Sequence, residues 1–382
     1  MNNFLKFICI LLSVLTVLSF TACNTDDNGS GTTPEETNPA EIPEDTDPIV
    51  ITYEDREYNV VEYLDSIKVT GRSLVCDEGL AIDWSASGIE FNAECRGTVK
   101  LTLTSTEPCK FLVYVDGVAT TLEVAQGTAN YTIASELAEG SHSFRIVKKS
   151  DNAVENTPDI LTSVSKIAMC GLLGEKPADK KLLIEFIGDS ITCGLGTVAA
   201  GSLETDATVT YAYKAAELLG ADYSFVSISG IGVAKSTDQN AGLVMSDIYS
   251  YSNYYRDQTA KYEPTRQADI VVIALNTNDN GRNPSFADYK AKFESLIEQV
   301  KAIHGEDVII VWVSTLMYGS GSCDIYTQQL FSFYGGEESG FYHLYATPNS
   351  AGAFTHPSVE GHAVNAQILA DYINTTVLKN GD

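Results

Sequence analysis

The chain reads as an α/β protein of two domains, an antiparallel β-sandwich over residues 49–170 followed by a doubly wound α/β domain with a mainly parallel sheet over 171–382. Three observations predict this. Between Ile49 and Ile167, apolar and polar residues alternate in short runs broken by turn residues, the pattern of half-buried antiparallel strands. Beyond Lys181 the strand-like runs become apolar on both faces, which demands cover on both sides, and they alternate with segments of helical periodicity. A polar linker, GLLGEKPADKK, separates the two textures. At 382 residues the chain is long enough to bury two cores.

The first 22 residues carry Lys6, an apolar run from Phe7 to Phe20 and then small residues, the layout of a secretory signal peptide. That run is short for a membrane span, which needs about 20 apolar residues. The ending Phe20-Thr21-Ala22-Cys23 resembles a bacterial lipobox, where cleavage before the cysteine leaves a thiol that is acylated. Cys23 is therefore the expected lipidation site, and the bacterial cell envelope the expected location. Residues 24–48 hold eight acids and no base, so they cannot bury enough apolar surface to fold and read as a solvated tether. The NTDD after Cys23 is similar to signals that sort some lipoproteins to the outer cell surface.

In the first domain the strands are GIEFNAE, GTVKLTLTST, KFLVYVDG, YTIASEL and HSFRIVKK, with Val115-Asp116-Gly117 as a hairpin turn because Asp-Gly tolerates positive φ. In the second, LLIEFIG, YSFVSIS, ADIVVIALN, DVIIVWVST and FYHLYAT are the strands, and YAYKAAELLG and YKAKFESLIEQVKAI are helices. Beyond Cys9 and Cys23 there are six cysteines, none in a CxxC or Cys/His metal spacing, so buried thiols or one to three disulfides are expected and zinc is not. A net charge of −27 opposes nucleic acid and anionic membrane surfaces, leaving the lipid anchor as the expected membrane contact. Neutral polysaccharide fits that exterior.

Open α/β sheets bind ligands beyond the carboxyl ends of their strands, so the residues at those ends are the first candidates for chemistry. They are Gly188-Asp189-Ser190, Ser229-Gly230, Thr277-Asn278-Asp279 and His356-Pro357. Acyl transfer needs a nucleophilic hydroxyl, a base and donors for the oxyanion of a tetrahedral intermediate, and the four ends supply all three. Each also has a purely structural reading: Ser190 as a helix N-cap, Asn278 as a turn cap, Gly230 as a tight-turn residue. Among the histidines, His142, His304 and His343 read as structural, and His362, inside the final helix, competes with His356, which precedes it.

GDSITCGLG, SGIG, NTND and HPS resemble the four blocks of the SGNH, or GDSL, hydrolase superfamily, over about Leu182 to Leu378. The resemblance implies Ser190 as nucleophile, His356 as base, and Ser190, Gly230 and Asn278 as oxyanion donors. The third block departs from the usual GTND, with Asn276 where Gly would stand, so a change in the local turn is expected and the Asn278 donor is retained. Upstream, IKVTGRSLVCDEGLAIDWSASGIEFNAECRG and the KFLVYVDG hairpin are similar to the jelly-roll domain of carbohydrate esterase family 2. Members of that family are acetyl esterases acting on plant-wall glycans such as xylan and mannan, which implies an acetylated carbohydrate substrate here.

Many superfamily members place an Asp three residues before the base, where this chain has Ala353. No acid lies between Gly340 and His356, so a backbone carbonyl at Ala353 or Phe354, or an acid from elsewhere, is expected to orient the imidazole. Gly194-Leu195-Gly196-Thr197-Val198-Ala199 formally matches a dinucleotide fingerprint, but it lies past the nucleophile and no ribose-binding acid ends the next strand. No nucleotide cofactor and no metal are expected. Tyr249, Tyr251, Tyr254 and Tyr255 read either as a sugar-stacking wall or as helix packing. Rival functions are an acylhydrolase of lipid or peptidoglycan esters, and an inactive glycan-binding lipoprotein.

Overall fold

Alternation and continuous apolarity produce two different sheets in the computed structural model, which describes residues 52–152, 159–198 and 203–379. The signal segment 1–22, Cys23 and the tether 24–48 lie outside the described residues.

The first sheet comprises β1 (Asp55–Asn59), β2 (Ile67–Thr70), β3 (Leu74–Cys76), β4 (Gly79–Ala81), β5 (Gly88–Ser105), β6 (Cys109–Val115), β7 (Val118–Val124), β8 (Gly127–Lys148) and β9 (Thr162–Leu173). All of its pairings are antiparallel, in the order β3-β4-β9-β5-β8-β6-β7, with β1 added to β9 and β2 to β5. Long β5 and β8 bend at register shifts between Cys95 and Lys100, as bulged strands do. Every second residue along β5 except Gly97 is buried, and these side chains meet partners from β2, β6, β8 and β9 in one core. At its centre Phe91 stacks on Phe144 with centroids 4.7 Å apart. The β6–β7 hairpin turns at Asp116 and Gly117, with φ of +50° and +80°. The strand ladder extends to Leu173, a little past the 170/171 division read from the sequence. Among the described residues all six cysteines are free thiols.

The second sheet is wholly parallel, formed by β10 (Leu183–Gly188), β11 (Asp222–Ser227), β12 (Ile270–Ala274), β13 (Ile309–Ser314) and β14 (Phe341–Tyr345), in the order β11-β10-β12-β13-β14. The helices are α1 (Ser190–Cys193), α2 (Tyr211–Leu218), α3 (Met245–Ile248), α4 (Thr277–Arg282), α5 (Phe286–His304), α6 (Ser322–Phe333) and α7 (Val359–Tyr372). Helices α2 and α7 cover one face and α3, α5 and α6 the other, giving the two cores that a doubly wound sheet requires. Strand order reverses between β10 and β12, and the crevice at that switch point is where such sheets bind ligands.

Buried charge pairs fasten the two sheets' domains together. Arg72, after β2, reaches Glu185 of β10 at 3.0 Å and lies between the rings of Tyr249 and Tyr262. Burial opposes ionisation of Glu185, yet Arg72 and His304 together hold its carboxyl well below the usual range. Asp83 takes two 2.8 Å bonds from Arg256, and Trp84 donates to the Ser252 carbonyl at 2.7 Å. Three of the four clustered tyrosines, Tyr249, Tyr254 and Tyr255, serve packing. Tyr249 is fully buried with its hydroxyl on Glu185, and Tyr254 and Tyr255 pack against the α3–α5 core, away from the strand-end crevice.

Candidate active site

Four strand ends converge on one cavity of about 290 Å³, whose walls include Ser190, Gly230, Asn278, Tyr318 and His356. A larger cleft of about 450 Å³ lies between the domains, where Lys68 and Arg266 pair with Asp222, and none of Ser190, Gly230, Asn278 and His356 lines it.

Ser190 opens α1 directly after β10, with Asp189 as the N-cap accepting from the Ile191 N–H at 2.9 Å. The structural reading of Ser190 as a cap is therefore taken by its neighbour, and the serine side chain is free for another partner. That partner is His356: Ser190 Oγ lies 2.8 Å from His356 Nε2. On the far side of the ring, Nδ1 sits 3.0 Å from the Phe354 carbonyl oxygen. A carbonyl only accepts, so Nδ1 carries the proton and Nε2 is left as the lone-pair acceptor facing the serine. Burial pushes the His356 pKa below its ordinary value, with the Phe354 carbonyl opposing, so the imidazole rests neutral, the state a general base needs. No carboxylate stands at Nδ1 among the described residues. Phe354 and Thr355 both adopt left-handed backbone, with φ of +53° and +59°, which turns the carbonyl under the ring.

His362, the competitor, is 1% exposed and has another use. Its Nδ1 accepts the Tyr211 N–H at 3.1 Å, its ring stacks on Tyr211, and burial drives its pKa down to about 3. The remaining histidines are structural as read. His142 bridges Asp116 and the Ala138 carbonyl, His304 bonds Glu185 and the Ala268 N–H, and His343 meets Ser314.

Three residues that carry candidate oxyanion donors, Ser190, Gly230 and Asn278, line the cavity. The N–H groups of Ser190 and Gly230 have no main-chain acceptor among the described residues. Gly230 has φ +78°, and a Cβ there would lie 2.1 Å from Thr237 Oγ1, so only glycine fits. Asn278 Nδ2 donates to the Ile231 carbonyl at 2.8 Å and, over a longer 3.4 Å, to Asp189 Oδ2, which anchors the amide beside the serine. Asn276 keeps a left-handed backbone at φ +86°, which glycine adopts freely and asparagine tolerates. Its buried side chain is held by Tyr289 at 2.6 Å, Asp324 at 3.0 Å and Thr327 at 3.2 Å, so the departure from glycine is absorbed by side-chain bonds at a turn of glycine-like geometry.

The sequence reading missed the acids behind this surface. Asp279 accepts the N–H groups of Val233, Ala234 and Lys235 at 2.7–2.8 Å and pins the loop after Gly230. Asp189 is fully buried, and burial pushes its pKa up to about 7. Asp151, from the β-domain, bonds Ser229. Only Asp279 and Asp189 carried a signal, through their adjacency to the motif residues. The glycines of the dinucleotide-like stretch also have other work: Gly194 caps α1 at φ +84°, and Gly196 packs beneath the His356 loop.

Comparison with known proteins places these features in context. Residues 186–364 match the GDSL-like Lipase/Acylhydrolase family, and residues 69–158 match the Carbohydrate esterase 2 N-terminal family. The chain is 30% identical over 253 residues to the cellulase/esterase CelE of Acetivibrio thermocellus, covering 62% of this chain but 30% of that protein's length. It is 24% identical over 262 residues to an acetylxylan esterase/glucomannan deacetylase of Cellvibrio japonicus, covering 61% of this chain and 70% of that one. In fold it is similar to a family two carbohydrate esterase from Cellvibrio japonicus, with a TM-score of 0.75 at 17% identity over 84% of this chain and 98% of that chain. A second similar fold is that of a family two carbohydrate esterase from Clostridium thermocellum in complex with cellohexaose, with a TM-score of 0.70 at 24% identity over 81% and 99% of the two chains.

Proposed function

We propose that the protein is a serine carboxylic ester hydrolase that removes acetyl groups from carbohydrate, a reading supported by the match of residues 186–364 to the GDSL-like Lipase/Acylhydrolase family and of residues 69–158 to the Carbohydrate esterase 2 N-terminal family. The observation that carries the proposal is the 2.8 Å approach of Ser190 Oγ to a carbonyl-oriented His356 on a cavity wall shared with Gly230 and Asn278.

In this reading His356 Nε2 takes the Ser190 proton as Oγ attacks the ester carbonyl carbon. The carbonyl oxygen becomes an oxyanion and receives the N–H groups of Ser190 and Gly230 and the Asn278 amide. Collapse breaks the bond to the sugar oxygen, which leaves with the proton from His356. Water, deprotonated by the same imidazole, then attacks the acyl-serine and releases acetate. The Phe354 carbonyl fixes tautomer and ring orientation as a carboxylate would, while stabilising the imidazolium less because it bears only a partial charge. Leu195, Leu203 and Met317 line the small cavity and suit a short acyl chain.

Plant-wall glycans such as xylan or glucomannan are the proposed substrates, supported by the C. japonicus relative's name and by the acidic exterior. We read the β-domain as a jelly-roll sandwich, supported by nine strands curled around one core. The lipobox-like ending at Cys23 supports a lipid-anchored envelope protein.

The test is acetate release from acetylated xylan, glucomannan and peptidoglycan side by side, with 4-nitrophenyl acetate as reference and Ser190→Ala as control. Xylan or glucomannan turnover is expected, lost in Ser190→Ala and indifferent to EDTA because this chain's own groups supply each role. Turnover that survives Ser190→Ala, or that EDTA abolishes and zinc restores, would overturn the reading.

A further inference from the structure

We propose that Asp151, supplied by the β-domain, is a positioning residue that sets the aim of the Gly230 N–H toward the oxyanion; this rests on the esterase reading above. Asp151 follows β8 and is 0% exposed. Its Oδ2 accepts both the backbone N–H of Ser229 at 3.1 Å and the Ser229 hydroxyl at 2.6 Å. Its Oδ1 accepts the Asn152 N–H at 2.6 Å, and its own N–H donates to Thr205 Oγ1 at 2.6 Å. The carboxylate is thus locked by its own turn before it grips Ser229. Burial raises its pKa, and the titratable groups that feel its charge are Lys148, Asp159, Cys193 and Tyr255.

Ser229 matters because its carbonyl and the Gly230 N–H belong to one peptide plane. In a trans peptide these two groups point in opposite directions. Gln239 and Asn240 hold the Ser229 carbonyl from one side, and Asp151 holds the Ser229 N–H and hydroxyl from the other. With both flanks of Ser229 fixed, the direction of the Gly230 N–H is fixed too. The two carbonyl anchors are local, at 10 and 11 residues' separation, whereas Asp151 lies 78 residues upstream, in the other domain. The β-domain therefore completes the hydrolase site as well as lying beside it.

A purely structural clip would lower stability and the folded fraction but leave each folded molecule's chemistry unchanged. A positioning residue changes turnover per active serine. The experiment is Asp151→Asn in the full chain, with active serines counted by stoichiometric fluorophosphonate labelling and kinetics measured on 4-nitrophenyl acetate. Because an oxyanion donor is worth on the order of 100- to 1,000-fold and this one is misaimed, not deleted, kcat per labelled serine should fall about 10- to 100-fold. KM should stay within about twofold, since the donor acts on the transition state. Affinity for a trifluoromethyl ketone, which forms a serine hemiketal with an oxyanion, should fall in parallel with kcat/KM. A kcat per labelled serine within twofold of wild type would overturn the proposal. If Asp151→Asn yields no folded protein, Ser229→Ala decides, since it removes only the 2.6 Å bond: a loss of about threefold or more per labelled serine supports the proposal, and no loss overturns it. A wild-type protein that neither takes the label nor turns over ester would instead sink the esterase reading on which the proposal stands.

Discussion

Gly196→Ala should disable the base without changing the identity of any reacting residue. Gly196 has φ +87°, and a Cβ built on it lies 2.5 Å from His356 Cβ and 2.6 Å from the Ala353 carbonyl oxygen. The Ala353 N–H also donates to the Gly196 carbonyl at 3.0 Å, so the glycine and the His356 loop are coupled at both places. To restore ordinary contact His356 must retreat by about 1 Å, since carbon atoms pack at about 3.5 Å or more. That stretches a 2.8 Å bond to Ser190 past hydrogen-bond reach. A misplacement of this size costs about 100-fold in rate, and the left-handed backbone adds about 1–2 kcal/mol of destabilisation. Gly220→Ala isolates the second effect, because Gly220 has φ +59° and open space where its Cβ would go. The assay is kcat per labelled serine on 4-nitrophenyl acetate, with thermal unfolding of both variants. Gly196→Ala should lose about two orders of magnitude and Gly220→Ala only stability. If Gly196→Ala keeps its activity within about threefold and unfolds no earlier than Gly220→Ala, the reasoning about the His356 loop is wrong.

The base must be neutral to accept a proton, and burial lowers its pKa, so kcat/KM should rise with pH through a limb centred below 6.5, the value of an ordinary imidazole. A pH–rate profile with its acid limb above 6.5 contradicts this, and Asp189→Asn, which removes the carboxyl pushed up to about 7, should leave the limb in place. Asn278→Ala should reduce kcat about 100- to 1,000-fold with little change in KM; a loss confined to KM would remove Asn278 from the oxyanion site. Arg72→Met strips the buried Glu185 of its nearest cation and should cost about 3–5 kcal/mol in denaturant unfolding, largely recovered in Arg72→Met/Glu185→Leu. A loss under about 1 kcal/mol would show the pair to be unimportant for stability.

The antiparallel and parallel sheets and the strand ends that meet at the cavity were legible in the sequence. Periodicity reports which faces are buried, and a strand's end is a local property, so β10 followed by Gly188-Asp189-Ser190 is readable from adjacent residues alone. Gly230 was visible for the same reason, because a tight turn demands glycine where it occurs. The carbonyl partner of His356 was half legible: the absence of a nearby acid is written in the sequence, but the choice of Phe354 over Ala353 depends on two left-handed residues whose conformation nothing in their side chains dictates.

Other features were decided only by the tertiary structure. The sequence left Tyr249 and its neighbours open between a sugar wall and packing, and the burial of Arg72 and Glu185 across the domain boundary settled it. Asn276 was read as a changed turn, whereas its consequence lies in bonds to Asp324 and Thr327, about 50 residues further on, which no local pattern encodes. Asp151 left no signal, since a single acid after a strand is ordinary until the chain has folded it against Ser229. The physical reason is common to all three. Hydrophobic patterning acts along the chain and survives any tertiary arrangement, but a buried polar contact is defined by two segments at once, and which pairs are satisfied is settled only when the backbone brings them to within hydrogen-bond distance.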